Sequence, residues 1–386
     1  MAKRKNPTLS IPPATQFVRL SELFHFRDGQ SIADMRIAYE TWGKLSARKD
    51  NALMVFTGMS PSAHVAASEA DNALGWWEGM VGSGCPIDTD RWFVICVNPI
   101  GSCFGSTGPP SVDNKARRLY GSHFPLVTVE DIANGIVCVL DELNIDVLKI
   151  AMAPSMGGST AMALSAMNPG RVQNAIFISC AMAASPFSIA LRSLQREIIR
   201  ADPVWSGGDY GLDKQPVTGM KLARKLGMAT YRSPKEWQTR FNRKRVPFDG
   251  DNLDISGPQN RTSQLTGKIF EVEAYLQARA DDFVSRFDAN SYLQLSRALD
   301  LFDFSEHGEG SFRKAIEKTQ WQNVAVMGVA TDLLFPLWQQ QNLAESADRA
   351  GVKATYREIV SDKGHDAFLS DRKLFYPHVK RFMKSL

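Results

Sequence analysis

Ser155, Asp332 and His365 are the residues whose types and order could do chemistry in this chain. A serine hydroxyl is a poor nucleophile at its own pKa. It needs a base to take its proton, and the base needs a carboxylate to orient it. Ser155 stands in Ala153-Pro154-Ser155-Met156-Gly157-Gly158-Ser159, between the apolar run Leu148 to Met152 and the helix-forming run Thr160 to Ala166. A serine between small residues at a strand-to-helix turn is the nucleophile-elbow pattern. The turn is so sharp that its flanking side chains must be small, and it lifts the serine oxygen out at the end of the sheet. It also aims the next backbone N–H, that of Met156, at the place where an oxyanion would form. Taken alone, the motif fits an ordinary Gly-rich turn equally well. Ala153 stands where a glycine is usual, and Pro154 directly precedes the serine.

The acid and the base come from two later loops. The run Val324 to Val329 is followed by Ala330-Thr331-Asp332-Leu333-Leu334-Phe335-Pro336, and Ala354 to Val360 by Ser361-Asp362-Lys363-Gly364-His365-Asp366-Ala367-Phe368. Each member of the set thus sits at the C-terminal end of a predicted strand, where open parallel sheets place their sites. The order Ser, Asp, His is that of α/β-hydrolases. Asp332 could instead merely cap the following helix, and His365 could be a surface loop residue. The chain has six histidines, however, and this one stands where such a fold needs its base. His64 lies near the first catalytic-type loop and ranks below it. A second oxyanion donor is expected after the strand Ala52 to Phe56, with Thr57 and Gly58 the candidates by position.

The elements that must hold these residues are readable from hydrophobic pattern. Phe17 to Leu20 and Met35 to Trp42 alternate and predict an antiparallel opening to a sheet. Ala52 to Phe56, Trp92 to Val97, Leu148 to Met152 and Val172 to Ser179 are short apolar runs, read as buried strands. Thr128 opens a helix with Asp131 three residues on, a variant capping box. Strands alternating with helices predict an α/β fold with a mostly parallel, doubly covered sheet. The pattern then changes. From Ala183 to about Gln320 helical periodicity dominates, as in Ile189 to Ile199, Val217 to Leu226 and Phe270 to Phe283, interrupted by a polar loop from Asp249 to Thr266. We read a core domain over 1–183 and 321–386 and a helical lid over 184–320. The last elements are a helix from Trp338 to Ala350, the strand Ala354 to Val360 and a helix from Lys373 to Met383.

Bulk properties narrow the function. A chain of 386 residues with 44% hydrophobic content can bury a large core. The net charge of +4 arises from 45 basic and 41 acidic residues spread along the chain. That gives no nucleic-acid stripe but would suit an anionic small molecule. No apolar run approaches a membrane span, and Met1 to Gln16 has no signal-peptide core. The five cysteines, Cys85, Cys96, Cys103, Cys138 and Cys180, lack C-x-x-C spacing and read as buried thiols of a cytoplasmic protein rather than disulfides or metal ligands. No bound cofactor or metal is expected.

Several longer stretches are more distinctive. They are Ile37-Ala38-Tyr39-Glu40-Thr41-Trp42-Gly43, Asp90 to Cys96, Gly101-Ser102-Cys103 with Gly105 to Pro109, Thr230-Tyr231-Arg232-Ser233, Arg286 to Tyr292, and Gly364 to Phe368. With these stretches the chain, from about Phe17 to Phe382, resembles homoserine O-acetyltransferases and their serine-acylating relatives. The loop Phe56 to His64 and the lead-in Ala153-Pro154 depart from the homoserine pattern, and the loop is more similar to the serine branch, which includes serine O-succinyltransferases. The resemblance implies an α/β-hydrolase core with a helical lid, a homodimer, and a role in cysteine or methionine biosynthesis. It implies ping-pong transfer of an acyl group, succinyl or acetyl, from acyl-CoA as co-substrate through Ser155 to the hydroxyl of L-serine or L-homoserine. It further implies amino-acid binding by Arg224, Tyr231, Asp366 and Thr57. An esterase or lactonase using the same triad, and a catalytically inactive scaffold, are the competing readings.

Overall fold

The computed structural model describes residues 11–211, 213–246 and 270–386, so the polar loop read at Asp249 to Thr266 lies outside the described residues. Its centre is an eight-stranded sheet. Numbering only the strands of this sheet, these are β1 (Gln16–Arg19), β2 (Arg36–Trp42), β3 (Ala52–Phe56), β4 (Phe93–Val97), β5 (Leu148–Pro154), β6 (Val172–Ile178), β7 (Asn323–Val329) and β8 (Lys353–Ile359). Their spatial order is β1-β2-β4-β3-β5-β6-β7-β8. β2 runs antiparallel to both β1 and β4, and every later pairing is parallel.

Apolar runs, rather than alternating ones, form the inner strands because both faces are covered. Met54 and Phe56 of β3 join one apolar layer with Ala151, Phe177 and Val326, while Leu53 and Val55 join the opposite layer with Met152, Ile178 and Met327. Burying each large side chain of this kind contributes about 1.5–3 kcal/mol. The first layer is closed by α1 (Val129–Glu142) and α2 (Met156–Met167), the second by the C-terminal helix Tyr376–Lys384 with Trp77 and Met80. The Thr128 capping box forms as expected. Its Oγ1 accepts from Asp131 N at 3.2 Å, and the Asp131 carboxylate accepts from Thr128 N at 2.8 Å.

The segment after Ala183 is helical. It comprises α3 (Pro186–Arg200), α4 (Val217–Tyr231), α5 (Pro234–Phe241), α6 (Glu271–Val284) and α7 (Ala289–Leu301). α3 packs on α4 and α7, and α4 on α6. The next helix, α8 (Phe312–Thr319), packs on α2 and on α9 (Leu337–Arg349). The chain therefore rejoins the core layers before Gln320. Among the described residues no helix is long and apolar enough to cross a membrane. All five cysteines are unpaired, and Cys96, Cys103 and Cys180 are buried, which pushes their thiols well above the usual range.

Candidate active site

β5 ends at Pro154 and α2 begins at Met156, so one residue, Ser155, makes the whole turn. Its φ of 55° and ψ of −130° are a strained conformation for a residue with a Cβ, of the order of 1–3 kcal/mol. The surroundings impose it. Ser155 N donates to Ile178 O at 2.9 Å, and Gly158 N donates to Ser155 O at 2.9 Å. Side chains are excluded on the far side. A Cβ on Gly157 would stand 2.7 Å from Phe56 O, and one on Gly158 would collide with Cys180. Pro154, the flaw in the motif, is harmless. Pairing of β5 with β3 stops at Met152, so the missing N–H falls beyond that ladder, while pairing with β6 runs on to Ile178. The elbow forms despite its unusual lead-in.

Two loops bring the partners. Ser155 Oγ lies 2.9 Å from His365 Nε2, and His365 Nδ1 lies 2.9 Å from Asp332 Oδ2. The other oxygen of Asp332, Oδ1, accepts from the N–H groups of Leu334 at 2.9 Å and Phe335 at 3.0 Å. Asp332 thus both caps its own loop and orients the histidine. Burial opposes a charge on His365, but the Asp332 carboxylate, its hydrogen bond and the nearby Asp366 outweigh that, and the net pKa is raised above 6.5. The base loop is clasped to the lid. Arg232 Nε donates to Asp366 Oδ2 at 3.0 Å and Lys363 Nζ pairs with Glu236 at 3.1 Å. Gly364, with φ of 59°, leaves just enough room for Tyr231 O. His64 is placed differently. Its Nδ1 faces Glu40 Oε2 at 2.9 Å and its Nε2 faces Ala73 O at 2.8 Å. Both nitrogens are engaged by these protein oxygens, so neither is turned to the Ser155 hydroxyl.

Above Ser155 and His365 opens a cavity of about 440 Å³ walled on its other side by residues of α3, α4, α6 and α7. A family model described as alpha/beta hydrolase fold matches residues 52–371. The crystal structure of homoserine O-acetyltransferase from Bacillus anthracis is similar with a TM-score of 0.85 at 25% identity, over 96% of this chain and 97% of that one. A serine O-succinyltransferase of Litchfieldella anticariensis is 46% identical over 97% of this chain and 99% of its own length. An L-serine/homoserine O-acetyltransferase of Streptomyces lavendulae is 46% identical over 97% of this chain and 98% of its own length. The chain belongs to the homoserine O-acetyltransferase family of α/β-hydrolases.

The remaining residues singled out from the family resemblance divide. Arg224, Tyr231 and Asp366 all line the cavity. The Arg224 guanidinium lies 4.4 Å from the Phe283 ring centroid and 5.4 Å from that of Tyr231, and its buried Nε has no acceptor. Burial raises the Tyr231 phenol pKa. The carboxylate of Asp366 is shared with Arg232, an ion pair the sequence did not announce. Of the oxyanion candidates, Met156 heads α2, where the backbone N–H has no intrahelical acceptor and the helix dipole favours negative charge. Gly58 lines the cavity. Thr57 is buried, with its hydroxyl 3.5 Å from Val97 O, and is not among the residues lining the cavity. Sequence reasoning missed Arg192 and Gln195, which α3 projects into the cavity wall. They lie in a stretch read only for its helical period.

Proposed function

We propose that the protein is an acyl-CoA-dependent serine O-acyltransferase that moves a succinyl group from CoA through Ser155 to the hydroxyl of L-serine. The observation that carries this reading is a serine–histidine–aspartate relay at 2.9 Å steps opening on a cavity lined by arginines. The names of the relatives at 46% identity point the same way. In the first half-reaction His365 Nε2 takes the Ser155 proton as Oγ attacks the thioester carbonyl. The oxyanion faces the N–H groups of Met156 and Gly58. The C–S bond breaks, and the departing thiolate takes the proton from the imidazolium. In the second, the acceptor hydroxyl gives its proton to His365 and attacks the acyl carbon. The C–Oγ bond breaks, and Ser155 regains the proton.

The acceptor is held by its charges. The open Nε of Arg224 takes the carboxylate, and Asp366 takes the ammonium. The lid excludes water, which separates transfer from hydrolysis. Homoserine is the second acceptor to consider, because one relative carries both acceptors in its name. A paired molecule is part of the same reading. Phe187 and Leu194 on α3, and Leu222 on the adjacent α4, are about half exposed, at 54%, 50% and 49%, and a second copy would cover them. The deciding experiment is a matrix of succinyl-CoA and acetyl-CoA against serine, homoserine and water, following free CoA and product mass. O-succinylserine is the expected main product. A higher kcat/KM for homoserine than for serine overturns the acceptor, and CoA release that is unchanged by either amino acid overturns transfer in favour of hydrolysis.

A further inference from the structure

The loop that follows β3 has no regular structure to hold it. From Thr57 to Gly75 it contains no helix and no strand. Yet Gly58 to Ser62 line the cavity beside Ser155, and the Gly58 N–H is the second oxyanion donor of the reaction described above. Gly58 to Pro61 make no backbone-to-backbone hydrogen bond among the described residues, so this stretch is placed by its two ends. One end is β3. At the other, Ala63 N donates to Asn98 Oδ1 at 2.6 Å, just past β4, and Trp76 Nε1 donates to Ser62 O at 3.0 Å. The ring of His64 adds two more ties. Its Nδ1 lies 2.9 Å from Glu40 Oε2 on β2, and its Nε2 lies 2.8 Å from Ala73 O, where the loop returns.

The chemistry of these ties is specific. A backbone carbonyl only accepts, so Nε2 carries a proton. Nδ1 faces the Glu40 carboxylate, which is 1% exposed, and Asp71 Oδ2 stands 3.9 Å away. Among the described residues neither carboxylate pairs with a lysine or an arginine, and His64 is the cation beside both. Burial works against a charge on the ring, but the Ala73 carbonyl and the two carboxylates outweigh it and raise the His64 pKa above 6.5. Apolar side chains of similar volume often replace a buried ion pair with no loss of stability. What they do not provide is a loop end fixed at two points by directional bonds. We propose that His64 is a positioning residue for acyl transfer: tied to Glu40 and to Ala73 O, it fixes the end of the Gly58–Ser62 stretch and so holds the Gly58 N–H toward the oxyanion. This rests on the reading of Ser155 as the acyl-carrying nucleophile.

The test uses p-nitrophenyl acetate, a neutral activated ester, so that an error in the natural donor or acceptor leaves it standing. The amplitude of p-nitrophenolate release in the first turnover counts competent Ser155 sites, and its rate reports the oxyanion hole. Loss of one oxyanion donor costs about a hundredfold to a thousandfold, so a displaced one is expected to slow acylation by about tenfold to a hundredfold. Glu40→Gln is the conservative variant. Its amide oxygen can keep the hydrogen bond from Thr15 Oγ1, 3.2 Å from Glu40 Oε1. Its NH₂ group then donates to Nδ1, and the neutral ring still donates from Nε2 to Ala73 O. Acylation within about twofold of wild type is expected of it. The double variant Glu40→Gln/His64→Ala removes the ring without leaving the Glu40 charge unpaired, and it should show the full slowing at unchanged amplitude. A double variant that acylates at the wild-type rate, one that loses only amplitude, or a Glu40→Gln enzyme as slow as the double variant overturns the proposal. A wild-type enzyme that releases no p-nitrophenolate overturns the acyl-serine reading beneath it.

Discussion

Replacing Asp332 by asparagine probes the relay at the atom that matters most. The carboxylate's Oδ1 accepts two backbone N–H groups, from Leu334 and Phe335. An asparagine must keep its carbonyl oxygen there, because its NH₂ group would face two donors. That forces the NH₂ into the Oδ2 position, 2.9 Å from His365 Nδ1. The amide then donates to Nδ1, and a neutral imidazole must carry its proton on Nε2. Nε2 faces Ser155 Oγ, so the base becomes a donor and cannot take the serine proton. The corresponding wrong-tautomer defect in a serine protease costs about 10⁴ in kcat, equivalent to ~5.4 kcal/mol of transition-state stabilisation at ~1.36 kcal/mol per tenfold. Fold stability should change little, since both backbone hydrogen bonds survive. With the Asp332 charge gone, burial and the nearby Arg192 charge pull the His365 pKa down, opposed by Asp366. The residual activity should therefore keep its acidic limb at lower pH than wild type. The assay is CoA release by thiol titration across pH, with thermal unfolding as the control. A stably folded variant that keeps most of its kcat, or one whose acidic limb stays in place, refutes the relay.

Two further outcomes follow from the same geometry. The wild-type pH–rate profile should fall on the acidic side with an apparent pKa above 6.5, because the group must be neutral to act as base and its net pKa is raised; a limb centred below 6.5 contradicts the dominance of Asp332 over burial. Gly364→Ala should lower kcat with little change in thermal stability beyond ~1–3 kcal/mol. A Cβ there would meet Tyr231 O at 2.5 Å on a backbone with φ of 59°, and the base loop must shift away from Ser155. Unchanged kcat in that variant means the lid does not position the base.

The inner strands were readable because parallel strands covered on both faces are apolar throughout, and Ser155 and Asp332 each follow one of them, while His365 follows the edge strand β8. The elbow was harder, since Ala153-Pro154 breaks the usual pattern. What tolerates it is the pairing of β5 with β3, which stops at Met152, and β3 comes from a distant part of the sequence. α3 was read correctly as a helix and incompletely as a surface. Apolar residues are assumed to face inward, but this helix buries Arg192 and Arg196 against Asp300 and turns Arg192 to the cavity wall. No spacing rule reports that Asp300, more than a hundred residues on, supplies their partner. The same holds for Asp366, whose pairing with Arg232 depends on how the lid meets the base loop.

Acyl transfer through Ser155 is tested most directly by mixing the protein with succinyl-CoA alone, quenching, and measuring the mass of its peptides. The expected result is one succinyl group on the peptide that carries Ser155, one equivalent of free CoA, loss of the adduct on adding serine, and no adduct on Ser155→Ala. CoA released only once serine is present, or an adduct that persists in Ser155→Ala, contradicts it.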